Sequence, residues 1–354
     1  MSPPIPAQFH PAALKNNLAV ARRHAGTARI MAAVKANGYG HGLRRVAQAL
    51  GDADGFAVVS LEEASILRDT GWDKPILLLE GMFEAGELAE CIAQRITPVV
   101  HHAEQIAMLE QARVVDPLPV FLNLNSGMNR LGFKPPDFHA ALSRLIACPN
   151  VGGITLMSHF ATADEAVGVI DQLEVIQPVF ANLDHPVSLA NSAALLRYRA
   201  TRRDWVRPGI MLYGVSPFLD GWGVDEGLEL VMSLTSRLIA VKHFKKDDAI
   251  GYGASWSCPE DMPIGIVSCG YGDGYPRHAR AGTPVLVNGQ RVPLVGRVSM
   301  DMLTVDLRGC EARIGDEVVL WGEGLPADDV AESAGTIAYE LFCQLTARVP
   351  FIEV

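Results

Sequence analysis

Residues 29–42 of the chain read RIMAAVKANGYGHG, a short apolar run followed by one lysine and a turn rich in glycine. An apolar run of this length is typical of a buried strand. Burial of a lysine favours its neutral amine, which is a nucleophile toward carbonyl groups such as the aldehyde of pyridoxal phosphate. Lys35 is therefore a candidate nucleophile at the end of a strand. The alternative from these residues alone is that Lys35 simply ends the strand at its solvent edge.

Further apolar runs of the same kind alternate with helical stretches. With the first one, they cover residues 30–35, 56–60, 76–80, 97–101, 120–124, 153–157, 186–189 and 205–207, the last continuing toward 210–212. Continuous apolar strands are buried on both faces, which is typical of a parallel sheet. Eight such units over residues 12–225 predict a (β/α)8 barrel of the TIM type, although a doubly wound open sheet has the same local pattern.

The pattern changes near residue 226, where helical periodicity fades. Short β-type runs between glycine and proline turns cover residues 234–241, 263–269, 283–287, 291–295, 302–305 and 317–321. The pair Asn288-Gly289 suits the type I′ turn of a hairpin, and helices are expected at 327–334 and 337–344. We therefore predict a C-terminal mainly-β domain over residues 226–354. The sequence leaves open whether residues 1–11 also belong to this domain.

Composition and charge exclude several classes of protein. The 354 residues carry a net charge of −10 without a run of lysine or arginine, which argues against binding to nucleic acid or to an anionic membrane. The six cysteines are scattered and form no Cys-x-x-Cys pair, so we expect neither a disulfide framework nor a metal site. No signal-peptide pattern and no run long enough to span a bilayer is found, so we predict a cytoplasmic protein.

Polar residues stand at or just after several of the apolar runs. They are Lys35, Asn123, His159, Asn191, Ser192 and Arg207. In barrels of this type the chemistry is found at the carboxyl ends of the strands. We therefore predict the functional site at that rim.

Seven segments are richer in glycine, arginine, tyrosine and histidine than packing requires. They cover residues 34–42, 125–132, 158–164, 207–214, 250–253, 296–301 and 336–340. In order and spacing they resemble the motifs of bacterial alanine racemases, a family of pyridoxal-phosphate enzymes. The resemblance covers essentially the whole chain, so it is highly specific.

The resemblance implies a cofactor site at the barrel rim. Lys35 would carry pyridoxal 5'-phosphate covalently, Arg207 would face its pyridine nitrogen, and His159 would stack near its ring. Neutral donors would hold the phosphate, supplied by Tyr39, Asn191, Ser192, Tyr339 and the backbone amides of Gly209 and Ile210. From the residues alone, 191–192 could equally be a helix cap, Arg207 the partner of a surface acid and His159 a structural hydrogen-bonding residue.

An arginine at the pyridine nitrogen bears on the type of reaction. A carboxylate there would keep a proton on the nitrogen and make the ring a strong electron sink. Arg207 cannot accept that proton, so we expect return of a proton to Cα to be favoured over transamination or elimination.

The resemblance also implies two acid/base groups on opposite faces of Cα. Lys35 would serve one face, and Tyr252 from the partner subunit of a homodimer would serve the other. Arg130 would bind the substrate carboxylate. Further residues would close the pocket from the partner, namely Met300 and Asp301, or line the access corridor, namely Tyr271, Arg277 and Arg297. Without the resemblance, residues 251–253 would be a β-turn that carries an exposed aromatic side chain.

One position departs from the family pattern. Many members have a carbamylated lysine seven residues before the arginine, whereas this chain has Asn123, which cannot be carbamylated. Either Asn123 hydrogen-bonds Arg130 directly or a small anion such as chloride lies between them. We predict no carbamate, and a carbamate on any lysine beside Arg130 would contradict this.

The resemblance implies a racemase that interconverts L-alanine and D-alanine, either to supply peptidoglycan or to degrade D-alanine. The alternatives are a racemase of another small amino acid such as serine, a racemase of broader specificity, and a decarboxylase on the same fold. A non-catalytic pyridoxal-phosphate protein is a further alternative. The β domain and Tyr252 argue against it.

Overall fold

The computed structural model describes residues 4–113, 116–218 and 221–354, and the chain folds into two compact units. One unit comprises Leu14–Leu228, and the other comprises Glu229–Val354 together with the segment that precedes Leu14. The chain begins with strand β1 (Ala7–Phe9) and helix α1 (Pro11–Ala25). Residues 1–11 were considered as an addition to the β domain, and the first three of them lie outside the described ranges.

Eight parallel strands close into a barrel in the first unit. They are β2 (Arg29–Ala33), β3 (Gly55–Val58), β4 (Ile76–Leu78), β5 (Ile96–Val100), β6 (Leu118–Leu124), β7 (Val151–Ser158), β8 (Val187–Ser188) and β9 (Trp205–Val206). The last strand pairs in parallel with the first, with Arg29 opposite Trp205 and Ile30 opposite Val206. An open doubly wound sheet would leave these two edges unpaired, so the predicted TIM-type barrel is confirmed.

Helical segments connect successive strands of the barrel. They are α2 (Lys35–Tyr39), α3 (Leu43–Ala49), α4 (Leu61–Asp69), α5 (Glu87–Ala93), α6 (Ala103–Gln111), α7 (Pro135–Ala147), α8 (Ile170–Phe180) and α9 (Ser192–Arg197). Local sequence explains several of their ends. Ser60 caps α4 by accepting a hydrogen bond from the Glu63 amide at 3.3 Å, and α7 starts with the proline pair that its first turn tolerates.

A layer of buried side chains fills the inside of the barrel, contributed by Met31, Ala57, Leu77, Val99, Phe121, Met157 and Trp205. Side chains two positions apart on a strand point to the same side. On four strands the residue two positions beyond this layer is polar, namely His101, Asn123, His159 and Arg207. The strand alternation therefore aims these side chains at the space above the apolar layer, at the carboxyl end of the barrel.

The predicted continuation of the last barrel strand into residues 210–212 is wrong. The strand ends at Val206, and Ile210–Tyr213 form a 3-10 turn. Pro208 has no amide proton for a strand ladder, and Gly209 adopts φ −123° and ψ −96°, which is not a strand conformation. This turn brings the backbone of residues 209–211 beside the start of α9.

The second unit is built on an eight-stranded sheet, which confirms the predicted mainly-β domain. Its later strands and helices are β10 (Met232–Phe244), β11 (Ala249–Ile250), β12 (Trp256–Ser257), β13 (Met262–Val267), β14 (Pro284–Val287), β15 (Gln290–Val295), β16 (Leu303–Asp306), β17 (Glu317–Trp321), α10 (Ala327–Ala334), α11 (Ala338–Cys343) and β18 (Phe351–Glu353). Asn288 and Gly289 have φ of 51° and 77° between two paired strands, as the predicted type I′ turn requires.

The first and last strands of the chain belong to this same sheet. β1 pairs antiparallel with β10 and parallel with β18, with Ala7 opposite both Leu234 and Phe351. Neither short strand was predicted. Separately, β11 and β12 form a small two-stranded sheet beside the 3-10 turn Tyr252–Ala254.

Within the described ranges, no helix combines the length and the apolar character needed to cross a membrane. In the same ranges, no three His, Cys, Asp or Glu side chains are grouped where they could hold a metal ion. The six cysteines all lie in the described ranges, where none of them forms a disulfide bond and only Cys343 is exposed.

Candidate active site

Lys35 begins a turn of left-handed backbone at the end of β2. Ala36, Asn37, Gly38 and Tyr39 have φ of 53°, 55°, 65° and 49°. A left-handed conformation costs about 1–2 kcal/mol for each residue other than glycine, so consecutive ones persist only where the surroundings enforce them. This strain lies directly beside the predicted nucleophile.

Hydrogen bonds from several directions hold the left-handed turn. The Asn37 amide donates to Glu63 Oε1 at 2.9 Å, and Asn37 Oδ1 accepts from the Leu43 amide at 2.9 Å. The Gly38 amide donates to Val34 O at 2.8 Å. Asparagine tolerates this backbone region better than most residues, which accounts for its place in the middle of the turn.

The turn ends at Tyr39, whose ring packs against the segment that follows the last barrel strand. The ring is buried and stacks on Tyr213 with centroids 4.6 Å apart, and Tyr213 in turn contacts the His41 ring at 4.7 Å. Tyr213 Oη donates to Ala33 O at 3.2 Å. Neither Tyr213 nor His41 was predicted, although both lie within segments that were singled out.

Ser192 organises the 3-10 turn beside Tyr39. Its Oγ accepts hydrogen bonds from the amides of Gly209 at 2.9 Å and Met211 at 3.4 Å. The Ile210 amide makes no hydrogen bond among the described residues. Asn191 caps α9, with Oδ1 accepting from the Ala194 amide at 3.0 Å, so the cap alternative describes Asn191 and not Ser192.

Gly209 leaves no room for a side chain. A Cβ added there would lie 2.5 Å from Tyr39 Oη. The Tyr39 hydroxyl therefore lies directly against the backbone that Ser192 binds. The hydroxyls of Tyr39 and Ser192 and the amides of residues 209–211 form one cradle of neutral hydrogen-bonding groups, which we call the donor cradle.

Replacing Gly209 with alanine is expected to lower the free energy of unfolding by about 1–3 kcal/mol, because Tyr39 is fixed by its stacking and cannot yield to the new methyl group. Thermal or urea unfolding measures this. Gly153→Ala is the matched control, since a Cβ there meets nothing within 4 Å. Equal stabilities for the two variants would contradict the close approach of Tyr39 to Gly209.

Arg207 is a buried guanidinium whose named partners are all neutral. Nη1 donates to Ser188 Oγ at 2.6 Å, while Nη2 donates to Ser158 O at 2.7 Å and to His159 Nδ1 at 3.3 Å. In the described part of the chain no carboxylate forms a salt bridge with it, so the surface-acid alternative is wrong. Burial lowers the pKa of Arg207 to about 10, so it still carries its charge at neutral pH.

His159 is neutral, and its hydrogen bond shows where its proton lies. Burial, and after it the charges of Arg207, Arg130 and Lys35, lower its pKa to about 3. A guanidinium can only donate, so Nδ1 accepts from Arg207 and the proton must be on Nε2. Arg207 contacts the imidazole directly, and Arg130 and Lys35 are close enough to His159 for their charges to lower its pKa.

Two neutral histidines predict acid sensitivity. The pKa of buried His41 is lowered by burial to about 4, and that of His159 to about 3. Both would bind a proton below about pH 6.5 when unfolded, so the unfolded state takes up more protons and stability falls as the pH drops below that value. At pH 5 each histidine should destabilise the fold by about 1–2 kcal/mol.

Melting temperatures between pH 8 and pH 5 measure this effect. Gln has no proton to take up and still accepts from Arg207, so His159→Gln should reduce the loss on acidification. If the wild type and His159→Gln lost the same stability between these pH values, His159 would not be a neutral histidine.

Asn123 and Arg130 lie on and just after β6 and make no hydrogen bond with each other. Asn123 is buried, and its Oδ1 has no hydrogen-bond partner among the described residues. Arg130 is exposed. The direct bond, the first of the two predicted arrangements, is therefore not observed, and the buried Oδ1 of Asn123 is left unsatisfied.

The remaining predicted residues lie in the β unit. Tyr252 is 68% exposed, between Gly251 and Gly253, and Arg297 lies against that turn, with Nη1 3.0 Å from where a Cβ on Gly253 would be. The other exposed ones are Tyr271, Arg277, Met300 and Asp301, whereas Tyr339 is partly buried on α11. Their parts in a site remain predictions.

A cluster that was not predicted joins two of these β-unit segments. Arg348 donates from Nη2 to Asp301 Oδ1 at 2.8 Å, and its Nε lies 3.2 Å from Asp273 Oδ1. The Tyr271 amide donates to Ser299 O at 3.1 Å. Arg348 thus links the loop of Met300 and Asp301 to the loop of Tyr271, and no local pattern in the sequence marked it.

Comparison with known proteins agrees with this arrangement. A family model described as the N-terminal domain of alanine racemase matches residues 9–217, and one described as its C-terminal domain matches residues 231–353. The chain belongs to the alanine racemase family. A curated member of the family from Nitrosomonas europaea is 52% identical over 100% of this chain and 99% of its own.

Solved structures of the family have the same fold. The biosynthetic alanine racemase from Pseudomonas aeruginosa superposes with a TM-score of 0.97 at 48% identity, covering 99% of each chain. The alanine racemase from Acinetobacter baumannii gives a TM-score of 0.95 at 38% identity over 100% of each chain. The family match therefore extends over the barrel and the β unit alike.

Proposed function

We propose that the protein racemises alanine with pyridoxal 5'-phosphate as its cofactor. The observation that carries this proposal is Arg207, a charged and buried guanidinium that has only neutral partners and lies beside the donor cradle. Membership of the alanine racemase family supports the same reaction.

The residues at the barrel rim fit this cofactor. The donor cradle supplies neutral hydroxyls and amides, including the unpaired Ile210 amide, as a phosphate requires. Lys35 lies at the end of β2, next to this cradle, where its amine could hold an aldehyde. When bound, pyridoxal phosphate supplies an electron sink that makes the Cα–H bond of an attached amino acid acidic. Asn191, His159 and Tyr339 remain predicted contributors.

Arg207 sets the outcome of the reaction in this proposal. It donates hydrogen bonds but keeps its protons, since its pKa is about 10 and its partners are neutral. Facing a ring nitrogen, it would not supply the full positive charge that transamination exploits. It therefore favours return of the proton to Cα, which is what a racemase needs.

Two bases on opposite faces of Cα complete the proposal. Lys35 serves one face, and Tyr252 of the partner subunit serves the other. The high exposure of this tyrosine in one protomer supports a role outside its own fold. Arg130 would bind the substrate carboxylate, and exposed residues of the β unit, namely Met300, Asp301, Tyr271, Arg277 and Arg297, would close and line the site in a homodimer.

A panel of L- and D-amino acids tests the proposed reaction. We expect the holoenzyme to remove the circular dichroism of either alanine enantiomer and to act weakly on serine. Faster action on serine would reassign the substrate. A retained visible absorbance without any loss of optical activity would instead indicate a non-catalytic cofactor-binding protein.

We further propose that a chloride ion lies near Asn123 and Arg130, because Asn123 Nδ2 and the Arg130 guanidinium can donate to an anion, whereas the unpaired Asn123 Oδ1 cannot. Chloride at constant ionic strength should then lower the KM for alanine, and Asn123→Leu should remove that dependence. An identical chloride response in the two proteins would exclude Asn123 from an anion site. Intact-mass measurement should show no carbamate.

The biosynthetic description of the relative from Pseudomonas aeruginosa favours supply of D-alanine for peptidoglycan as the role of this chain as well. The scattered free cysteines fit a reducing compartment, and we propose the cytoplasm. Expression in a D-alanine auxotroph should restore growth without added D-alanine, and failure of an active enzyme to do so would argue for a catabolic role.

A further inference from the structure

Gln172 is a buried residue on α8, and both the oxygen and the nitrogen of its side-chain amide form hydrogen bonds. Oε1 accepts from the Ala161 amide at 2.7 Å, and Nε2 donates to His159 O at 3.1 Å and to Ser126 Oγ at 2.8 Å. Because Ala161 N can only donate and His159 O can only accept, these partners fix the orientation of the amide. Gln172 thus joins the loop after β7 to the loop after β6.

The bond to Ser126 continues as a directed chain of hydroxyl groups. Ser158 Oγ donates to Leu124 O at 2.8 Å, so it must accept from Ser126 Oγ, which lies 2.8 Å away. Ser126 in turn accepts from Gln172. Both serines are buried, so each hydroxyl keeps a donor and an acceptor as partners only while all the bonds run in this direction.

The loop that carries Arg130 is a turn whose two ends are tied at β6, where the Asn125 amide donates to Phe133 O and the Phe133 amide donates to Asn123 O, both at 2.9 Å. Asn125 Oδ1 accepts from the amides of Gly127 at 3.1 Å and Asn129 at 3.0 Å, so the turn holds its own shape. Gly127 adopts φ +140° and packs on Gln172, with 3.4 Å between Gln172 Cγ and where a Cβ on Gly127 would be. Ser126 and this packing anchor the turn to α8.

The end of β7 and the loop after it carry two groups that accept hydrogen bonds from Arg207. The carbonyl of Ser158 and Nδ1 of His159 both accept from Arg207. Gln172 holds the same short segment through the His159 carbonyl and the Ala161 amide. The Arg130 turn is therefore joined to the groups that hold Arg207 by two links, the direct bond between Ser126 and Ser158 and the side chain of Gln172, which alone contacts His159 and Ala161 as well.

We propose that Gln172 is a positioning residue, which fixes Arg130 relative to His159 and so sets the affinity for the substrate carboxylate. This inference rests on the proposed function, since it assigns Arg130 to that carboxylate. Gln172 itself contacts neither the donor cradle nor Lys35 in the hydrogen bonds described here.

Gln172→Glu tests the proposal with an almost unchanged shape. A carboxylate still accepts from Ala161 but cannot donate to His159 O, and it reverses the direction of the Ser126 bond. We expect the KM for alanine to rise about tenfold while kcat stays within about threefold and the cofactor absorbance is unchanged. Because a protonated glutamic acid can donate again, the rise in KM relative to the wild type should shrink as the pH is lowered.

The chain provides a matched control in Gln105. It is buried on α6, its Oε1 accepts from the His101 amide at 2.8 Å, and its Nε2 donates to Glu80 O at 3.2 Å and Met82 O at 3.1 Å. These partners lie after β4 and β5, which carry no predicted site residue. Gln105→Glu should lower stability to a similar extent and leave the KM for alanine unchanged.

Hydrogen exchange gives a reading that does not depend on activity. In Gln172→Glu the peptide covering residues 125–131 should exchange faster than in the wild type, and in Gln105→Glu it should not. Ser126→Ala removes the hydrogen bond between Ser126 and Gln172 with less disturbance of α8. It should also raise the KM for alanine, and it replaces Gln172→Glu in the experiment if that variant fails to fold.

The outcomes separate the two proposals. A wild-type enzyme that does not racemise alanine would overturn the proposed function and this inference with it. Wild-type racemisation together with an unchanged KM in Gln172→Glu and Ser126→Ala would overturn this inference alone. An equal rise in KM for the Gln105 and Gln172 variants would also overturn it, since the effect would then be one of general stability.

Discussion

Lys35→Ala is expected to lower alanine racemisation by at least about 10³-fold in both directions, because it removes both the covalent anchor and one of the two proposed bases. The visible absorbance of the bound cofactor should be lost as well. Lys35→Arg keeps a positive charge on the left-handed turn but has no nucleophilic amine, so it should fail in the same way. Chiral chromatography and an absorbance spectrum provide both readings.

The control for this experiment is Lys15→Ala, at an exposed position on α1, which should leave rate and spectrum unchanged. Retention of the cofactor absorbance in Lys35→Ala would mean that a different lysine anchors the cofactor. Loss of the absorbance with retained racemisation would contradict the dependence of the reaction on that cofactor.

Tyr252→Phe is expected to slow racemisation in both directions by about 10²–10⁴-fold, the usual contribution of one acid/base group. The cofactor absorbance should persist, because Tyr252 lies outside the barrel that carries the donor cradle. Lys35 would still exchange the Cα proton of one enantiomer with solvent. In D₂O we therefore expect deuterium to enter one enantiomer of alanine without racemisation, and entry into both at equal rates would exclude a two-base mechanism.

Tyr198→Phe is the control for loss of a phenol, since Tyr198 is partly buried in the barrel unit and is not a predicted site residue. Its rate should match that of the wild type. A loss as large as that in Tyr252→Phe would show that the hydroxyl of Tyr252 has no special role.

Mixing the two inactive proteins tests the shared site. If Lys35 and the partner's Tyr252 act together, a dimer of Lys35→Ala with Tyr252→Phe contains one intact site and one doubly altered site. Random exchange makes half of the dimers mixed, so about a quarter of the wild-type activity should return. No recovery, despite subunit exchange shown by mass spectrometry, would place both bases within one protomer.

The sequence predicted the barrel because its strands are buried on both faces and so appear as unbroken apolar runs. The last strand was extended wrongly, because residues 210–212 are as apolar as a strand, although Pro208 and Gly209 had already ended the ladder. β1 and β18 were missed because three residues are too few for a strand pattern to be distinguished.

For the site, the local sequence predicted which residues are unusual, but it did not predict which hydrogen-bond partners they have in the fold. The glycines around Lys35 indicated a turn, yet nothing marked Ala36 and Asn37 as left-handed, because that conformation depends on Glu63 and Leu43 from other elements. Gln172 gave no signal at all. Its importance comes from three partners on two separate loops, which only the folded barrel brings together.

The pairing of β1 with both β10 and β18 has a consequence for synthesis of the protein on the ribosome. β1 is made before all the barrel strands and β18 after all of them, so β1 waits through the synthesis of the whole barrel before its parallel neighbour exists. The barrel strands β2 to β9 are complete well before that. Because domains fold as units during synthesis, the barrel can close first, and the sheet that joins β1 to β18 is completed only afterwards.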